Sequence, residues 1–136
     1  MQGHQPIDHL EREIVLARTA LGGQKTGEIL NVGIGLLLWR IESPVVGAQK
    51  LAEDFVRVIS EAKVKAVWLS FGNEIERFVR LFREKEEGMG RKEGEKLKIF
   101  VMVGTVDHAV QVANWGEVDV VVCQGSFLPS PRTFTY

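Results

Sequence analysis

The stretch Val118-Asp119-Val120-Val121-Val122-Cys123-Gln124-Gly125-Ser126 decides how this chain is read. Its opening run is apolar and β-branched, the pattern of a strand buried on both faces, as in parallel sheets sandwiched under helices. In such sheets a ligand lies beyond the carboxyl ends of the strands, so Gln124 and Gly125 stand where chemistry is placed. Cys123, the single cysteine, is expected to be a buried strand residue. The chain continues through Phe127-Leu128-Pro129-Ser130-Pro131 to Tyr136.

Upstream, strand and helix patterns alternate. Ile7 to Leu21 puts Ile7, Leu10, Ile14, Leu16, Ala17 and Leu21 near one helical face, with Asp8 as N-cap and Gly22-Gly23 as stop. Leu30 to Leu38 is a first apolar strand, and Pro44 starts a connection to a helix over Ala48 to Ala62. Val64 to Phe71 is a second strand, closed by Gly72-Asn73. Ile75, Phe78, Val79 and Phe82 then recur at helical steps. Leu97 to Val103 is a third strand, Val106 to Ala113 a short helix, and Val118 to Val122 the fourth strand.

Helices between the strands imply parallel pairing through right-handed crossovers, since antiparallel neighbours need only tight turns. The class is α/β, with four strands expected side by side in the order they occur. An open doubly wound sheet and part of a closed barrel both fit this periodicity.

Composition bounds the function. With 136 residues, 45% of them apolar, and 17 basic against 18 acidic side chains, the chain suits one soluble globular domain. The densest charge run, Arg83 to Lys98, mixes both signs and reads as a solvated face, so nucleic acid is not an expected partner. The longest apolar stretch, Val32 to Trp39, is far shorter than the roughly 20 residues that span a bilayer. No membrane partner and a cytoplasmic location are expected, and a lone cysteine agrees with a reducing compartment.

Three segments carry a resemblance: Val67-Trp68-Leu69-Ser70-Phe71-Gly72, then Phe100-Val101-Met102-Val103-Gly104-Thr105-Val106-Asp107-His108-Ala109, then Val118 to Ser126. In this order they resemble successive segments of the nitronate monooxygenase family, formerly 2-nitropropane dioxygenases, especially its fungal members. The likeness extends upstream through Leu10 to Trp39. It implies a TIM-type (β/α)₈ barrel, an FMN cofactor, and an oxidoreductase that oxidises alkyl nitronates with O₂.

A complete barrel of that kind takes ~250 residues, so four βα-like units supply about half of one. The chain is therefore expected to be a truncated member: residues 1–126 form a partial barrel, and residues 127–136 form a divergent tail. That tail stands where the family carries a glycine-rich loop with its catalytic histidine. The opening strand and the phosphate-holding loops of the family also lack counterparts, so neither tight FMN binding nor turnover is expected of this chain.

The resemblance assigns Gln124 to a hydrogen bond with the flavin and Gly125 to its close approach. A strand-end glutamine bonded to backbone or water, and an ordinary turn glycine, are the competing readings. Thr105 is preferred as a helix N-cap over a ligand contact. Gly35 stands where many bacterial members have an asparagine against the flavin.

No catalytic residue is assigned. A base that takes a proton from carbon must reach the substrate at a strand mouth, whereas His4, His9 and His108 are expected to face solvent. Neither metal-ligand spacing nor a nucleophile with a base partner is found. Trp39, Trp68 and Trp115 are expected to pack in the core rather than stack on a flavin.

The alternative function is a catalytically silent half-barrel acting as an interaction protein. The outer edges of Leu30 to Leu38 and Val118 to Val122 would be buried against a copy of itself or another chain. A fold binding some other nucleotide lacks support, because Gly33-Ile34-Gly35 is not followed by the third glycine of a dinucleotide fingerprint.

Overall fold

Strand and helix alternate through the chain in the computed structural model, which describes residues 6–21, 28–41 and 48–124. The elements are α1 (Pro6–Ala20), β1 (Leu30–Leu37), α2 (Ala48–Glu61), β2 (Val64–Ser70), α3 (Ile75–Met89), β3 (Lys98–Val103), α4 (Val106–Asn114) and β4 (Val120–Cys123). All four strands pair in parallel, in the order β1-β2-β3-β4. This is the α/β arrangement expected, and it is consistent with part of a (β/α) barrel.

Sequential order has a geometric consequence. Each right-handed crossover steps in the same direction, which delivers α2, α3 and α4 to one side of the sheet. The burial pattern agrees: Val67, Leu69, Ile99, Val101 and Val103 are buried with Phe55, Ile59, Phe78 and Phe82 from the helices. Fully burying a side chain of this size is worth about 1.5–3 kcal/mol, so this single layer is the main source of stability.

The other face has no such cover among the described residues. Gly35, Trp68, Phe100 and Val120 share one register row across it. Trp68 is 38% and Val120 40% exposed, and the Trp68 and Phe100 rings stack at 5.6 Å, nearly parallel. The expectation that Val118 to Val122 is buried on both faces is thereby corrected: helices cover one side only. Trp68 likewise lies on the open face and not in the core.

Element ends depart from expectation for local reasons. The first helix starts at Pro6, so Asp8 lies within its first turn and is not the N-cap. Leu38 opens a short 3₁₀ turn, Leu38–Arg40, instead of ending β1. Phe71 leaves the ladder because its φ is 55°, a left-handed conformation that strand pairing does not allow. β4 begins only at Val120. One residue earlier, the Asp119 carboxylate accepts from the Ile99 N–H at 2.8 Å while the Asp119 N–H donates to the Ile99 carbonyl at 2.9 Å. α3 ends where Gly90 takes φ 67° and turns its N–H back to the Glu86 and Glu87 carbonyls, a C-cap that favours glycine.

The charge run Arg83 to Lys98 is not a solvated face throughout. Glu86 is 3% exposed and accepts from Arg83, from Arg91 and from the Leu97 N–H. Arg91 also donates to the Ser60 carbonyl. Arg83 donates to the Leu97 and Glu117 carbonyls and to Asp119. The network ties the ends of α2 and α3 to the entries of β3 and β4, and it gains because charge-assisted bonds are the stronger ones. Its Arg91 Nε and the nearby Ser60 hydroxyl find no hydrogen-bond partner among the described residues. No helix among the described residues is long and apolar enough to cross a membrane.

Candidate functional site at the carboxyl ends of the strands

The carboxyl ends of four parallel strands make one rim, and in α/β sheets this rim receives ligands. β1 and β2 are joined there by the Trp39 N–H donating to the Phe71 carbonyl at 2.9 Å. Trp39 is 59% exposed, and the Arg40 guanidinium lies 5.5 Å from its ring centroid. Trp39 is thus a rim residue, against the expectation of core packing. Trp115 does pack against the core, at the end of α4.

Past β3, the Thr105 hydroxyl accepts from the His108 N–H at 3.1 Å and caps α4. The capping role expected of Thr105 is the one it has. Past β4, the Gln124 N–H donates to the Val103 carbonyl at 2.9 Å, extending the ladder by one residue. This holds the Gln124 backbone at the rim, with the residue exposed. Gly125 lies outside the described residues, as do residues 127–136. Cys123 is exposed, a correction to its expected burial: it sits on the edge strand next to this rim.

The histidines are not brought to the rim's centre. His9 lies on α1, exposed, with Nε2 3.9 Å from Glu13 Oε1. His108 is half-buried in the first turn of α4, its backbone N–H engaged by Thr105, and His4 lies outside the described residues. Among the described residues, no three of the His, Cys, Asp and Glu side chains are grouped to hold a metal ion.

A cavity of about 720 Å³ opens between α1, the end of β1 and α2. Its floor is apolar, from Ile34, Leu36, Leu51 and Phe55, and its rim carries His9, Glu13 and Arg40. Gly35 and Leu37 of β1 also line it, and Gln124 does not.

The rim can therefore offer an amide at Gln124, and beside it an open aromatic face built by Trp68 and Phe100. It offers little to a phosphate. The N-terminus of α3 carries Glu74 and Glu76, and that of α4 has one N–H taken by Thr105 and an acid at Asp107. Carboxylates there repel an anion that a bare helix N-terminus would attract. The sequence singled out Gln124 and Thr105 at this rim but missed Arg40 and Phe71. Nothing in the sequence marks the positive φ that ends β2 at Phe71.

Fold and rim define an α/β chain with a parallel sheet and a ligand-facing carboxyl end. No family model matches this chain, and no curated protein or solved structure matches it.

Proposed function

We propose that this chain is a nitronate monooxygenase-like segment, related to FMN-dependent oxidoreductases that oxidise alkyl nitronates with O₂, and that by itself it does not catalyse that reaction. The observation that carries this reading is the position of Gln124: the residue matched to the family's flavin contact lies at the carboxyl end of β4, where a parallel sheet meets its ligand. Its amide can both donate to and accept from a ring that carries both kinds of group.

The fit to FMN is partial. The open face beside Gly35, where a Cβ would meet nothing within 4 Å, leaves room for a planar ring. The phosphate has no matching cradle among the described residues, because the helix N-termini after β2 and β3 carry acids. His9 lies on α1 and His108 in the first turn of α4, and neither is on the strand that carries Gln124. Gly125 belongs to the same reading as the residue that allows close approach, and a cytoplasmic setting agrees with the single cysteine.

Titrating FMN into the pure protein tests this. The expected result is no saturable quenching of flavin fluorescence at micromolar protein. Saturable quenching that Gln124→Ala abolishes would instead make the chain a self-sufficient flavin binder.

A further inference from the structure

The flavin reading uses the uncovered face of the sheet beside Gly35 and leaves the rest of that face without a role. Its middle row runs Gly35, Trp68, Phe100, Val120, and the row nearer the rim adds Leu37, the buried Ser70, Met102 and Val122. Parallel sheets are ordinarily buried on both sides, because their crossovers and their apolar runs leave no polar face to show to water. Here the helices occupy one side, and an aromatic stack stands on the other. The two outer strands add a second demand. Neither β1 nor β4 has a strand paired on its outer side among the described residues, and neither contains a charge or a proline to blunt the edge.

We infer that two copies of this chain close an eight-stranded ring about a twofold axis running along the strands, with β4 of each copy pairing in parallel with β1 of the other. The topology selects this occupant. The four strands are all parallel and follow one another in order, so a second copy turned about that axis presents its β1 to the first copy's β4 with the correct polarity. The same rotation makes the second seam identical to the first, and the assembly closes without leaving an edge. A partner of another kind would have to bring a parallel strand to each of two different edges.

Side-chain size agrees. Interiors of eight-stranded barrels are filled by layers of side chains drawn from alternate strands. Each copy brings the bulk of Trp68 and Phe100 on its central strands, with Lys98 at the entry end of the same face, and Gly33, Gly35 and Leu37 on β1, the strand that meets Val120 and Val122 of the partner's seam. With strands about 4.8 Å apart and about 20 Å long, two such faces and two seams remove on the order of 1,000 Å² from water. A biological interface needs about that much. The ring depends only on the sheet, so flavin titration and association can fail independently.

Light-scattering mass across the micromolar range, together with hydrogen exchange of the wild-type protein, tests the ring. The expected result is a dimer whose β1 and β4 amides both gain protection as concentration rises. Trp68→Lys should weaken the dimer by about tenfold or more, because the new ammonium must leave water, while Val15→Lys on the exposed side of α1 leaves it unchanged. A monomer at tens of micromolar overturns the inference, and a monomer with shielded Trp68 emission assigns the face to the chain's own remaining residues. A dimer without edge protection, or one indifferent to Trp68→Lys, also overturns it in favour of face-to-face stacking. Should Trp68→Lys not fold, the concentration dependence of edge protection in the wild type still decides.

Discussion

Arg91 Nη1 lies 3.4 Å from Glu86 Oε2, and the two side chains are 2% and 3% exposed. An ion pair withdrawn this far from water holds the end of α3 against the entries of β3 and β4. Removing one member of such a pair leaves the other charge uncompensated, which costs about 3–5 kcal/mol. Glu86→Ala is therefore expected to lose most of the stability of a small domain, measured as a fall in the urea midpoint. The double variant Glu86→Leu/Arg91→Leu should be less destabilised than the sum of its single changes. Additivity of the two would show that the pair does not act as a unit.

Thr105→Ala removes the hydroxyl that accepts from the His108 N–H, and should cost about 1 kcal/mol. Thr105→Asp should retain the cap. Chemical denaturation of the two variants separates capping from a ligand role, because a ligand contact would leave stability unchanged and alter only binding.

Lys63 holds φ 56° between α2 and β2, a conformation that costs a non-glycine residue roughly 1–2 kcal/mol. Lys63→Gly should raise stability by about 0.5–1 kcal/mol, the relief exceeding the added freedom of the unfolded chain. Lys63→Val should lower it, since a β-branched side chain tolerates this backbone least. Thermal midpoints that order the three proteins differently would remove backbone strain as the cause.

Oxygen uptake with 2-nitropropane anion or propionate-3-nitronate should not exceed the uncatalysed rate, with or without added FMN. The expectation follows from the proposed reading, in which no histidine of β4 accompanies Gln124: His9 is on α1 and His108 in the first turn of α4. Turnover that is lost when flavin is removed would reveal a base that substitutes for a histidine.

Several of these features are visible in the residues alone. Apolar runs alternating with helical stripes were enough for four parallel strands in sequence order, because helical connections exclude antiparallel hairpins. Thr105-Val106-Asp107 was enough for a helix cap. The uncovered face was not legible, since a β-branched run such as Val120-Val121-Val122 looks the same whether one side or both are covered. Gly33 and Gly35 alternating along β1 were the one hint that a face carried little bulk. The buried network was hidden by its own balance: a run of mixed charges resembles solvated surface. Spacing held the missed signal, because Glu86 falls four residues after Phe82 and so continues the stripe of Ile75, Phe78, Val79 and Phe82.

The order β1-β2-β3-β4 also bears on how the molecule is made. Each strand pairs with the strand synthesised just before it, one crossover earlier, so no pairing waits for a distant part of the chain. As the chain emerges from a ribosome, every completed βα unit can dock on the growing edge and present a new edge to the next. Accretion thus lays down the described strands in order, β2 docking on β1, β3 on β2 and β4 on β3, so each pairing is made from neighbours already at hand.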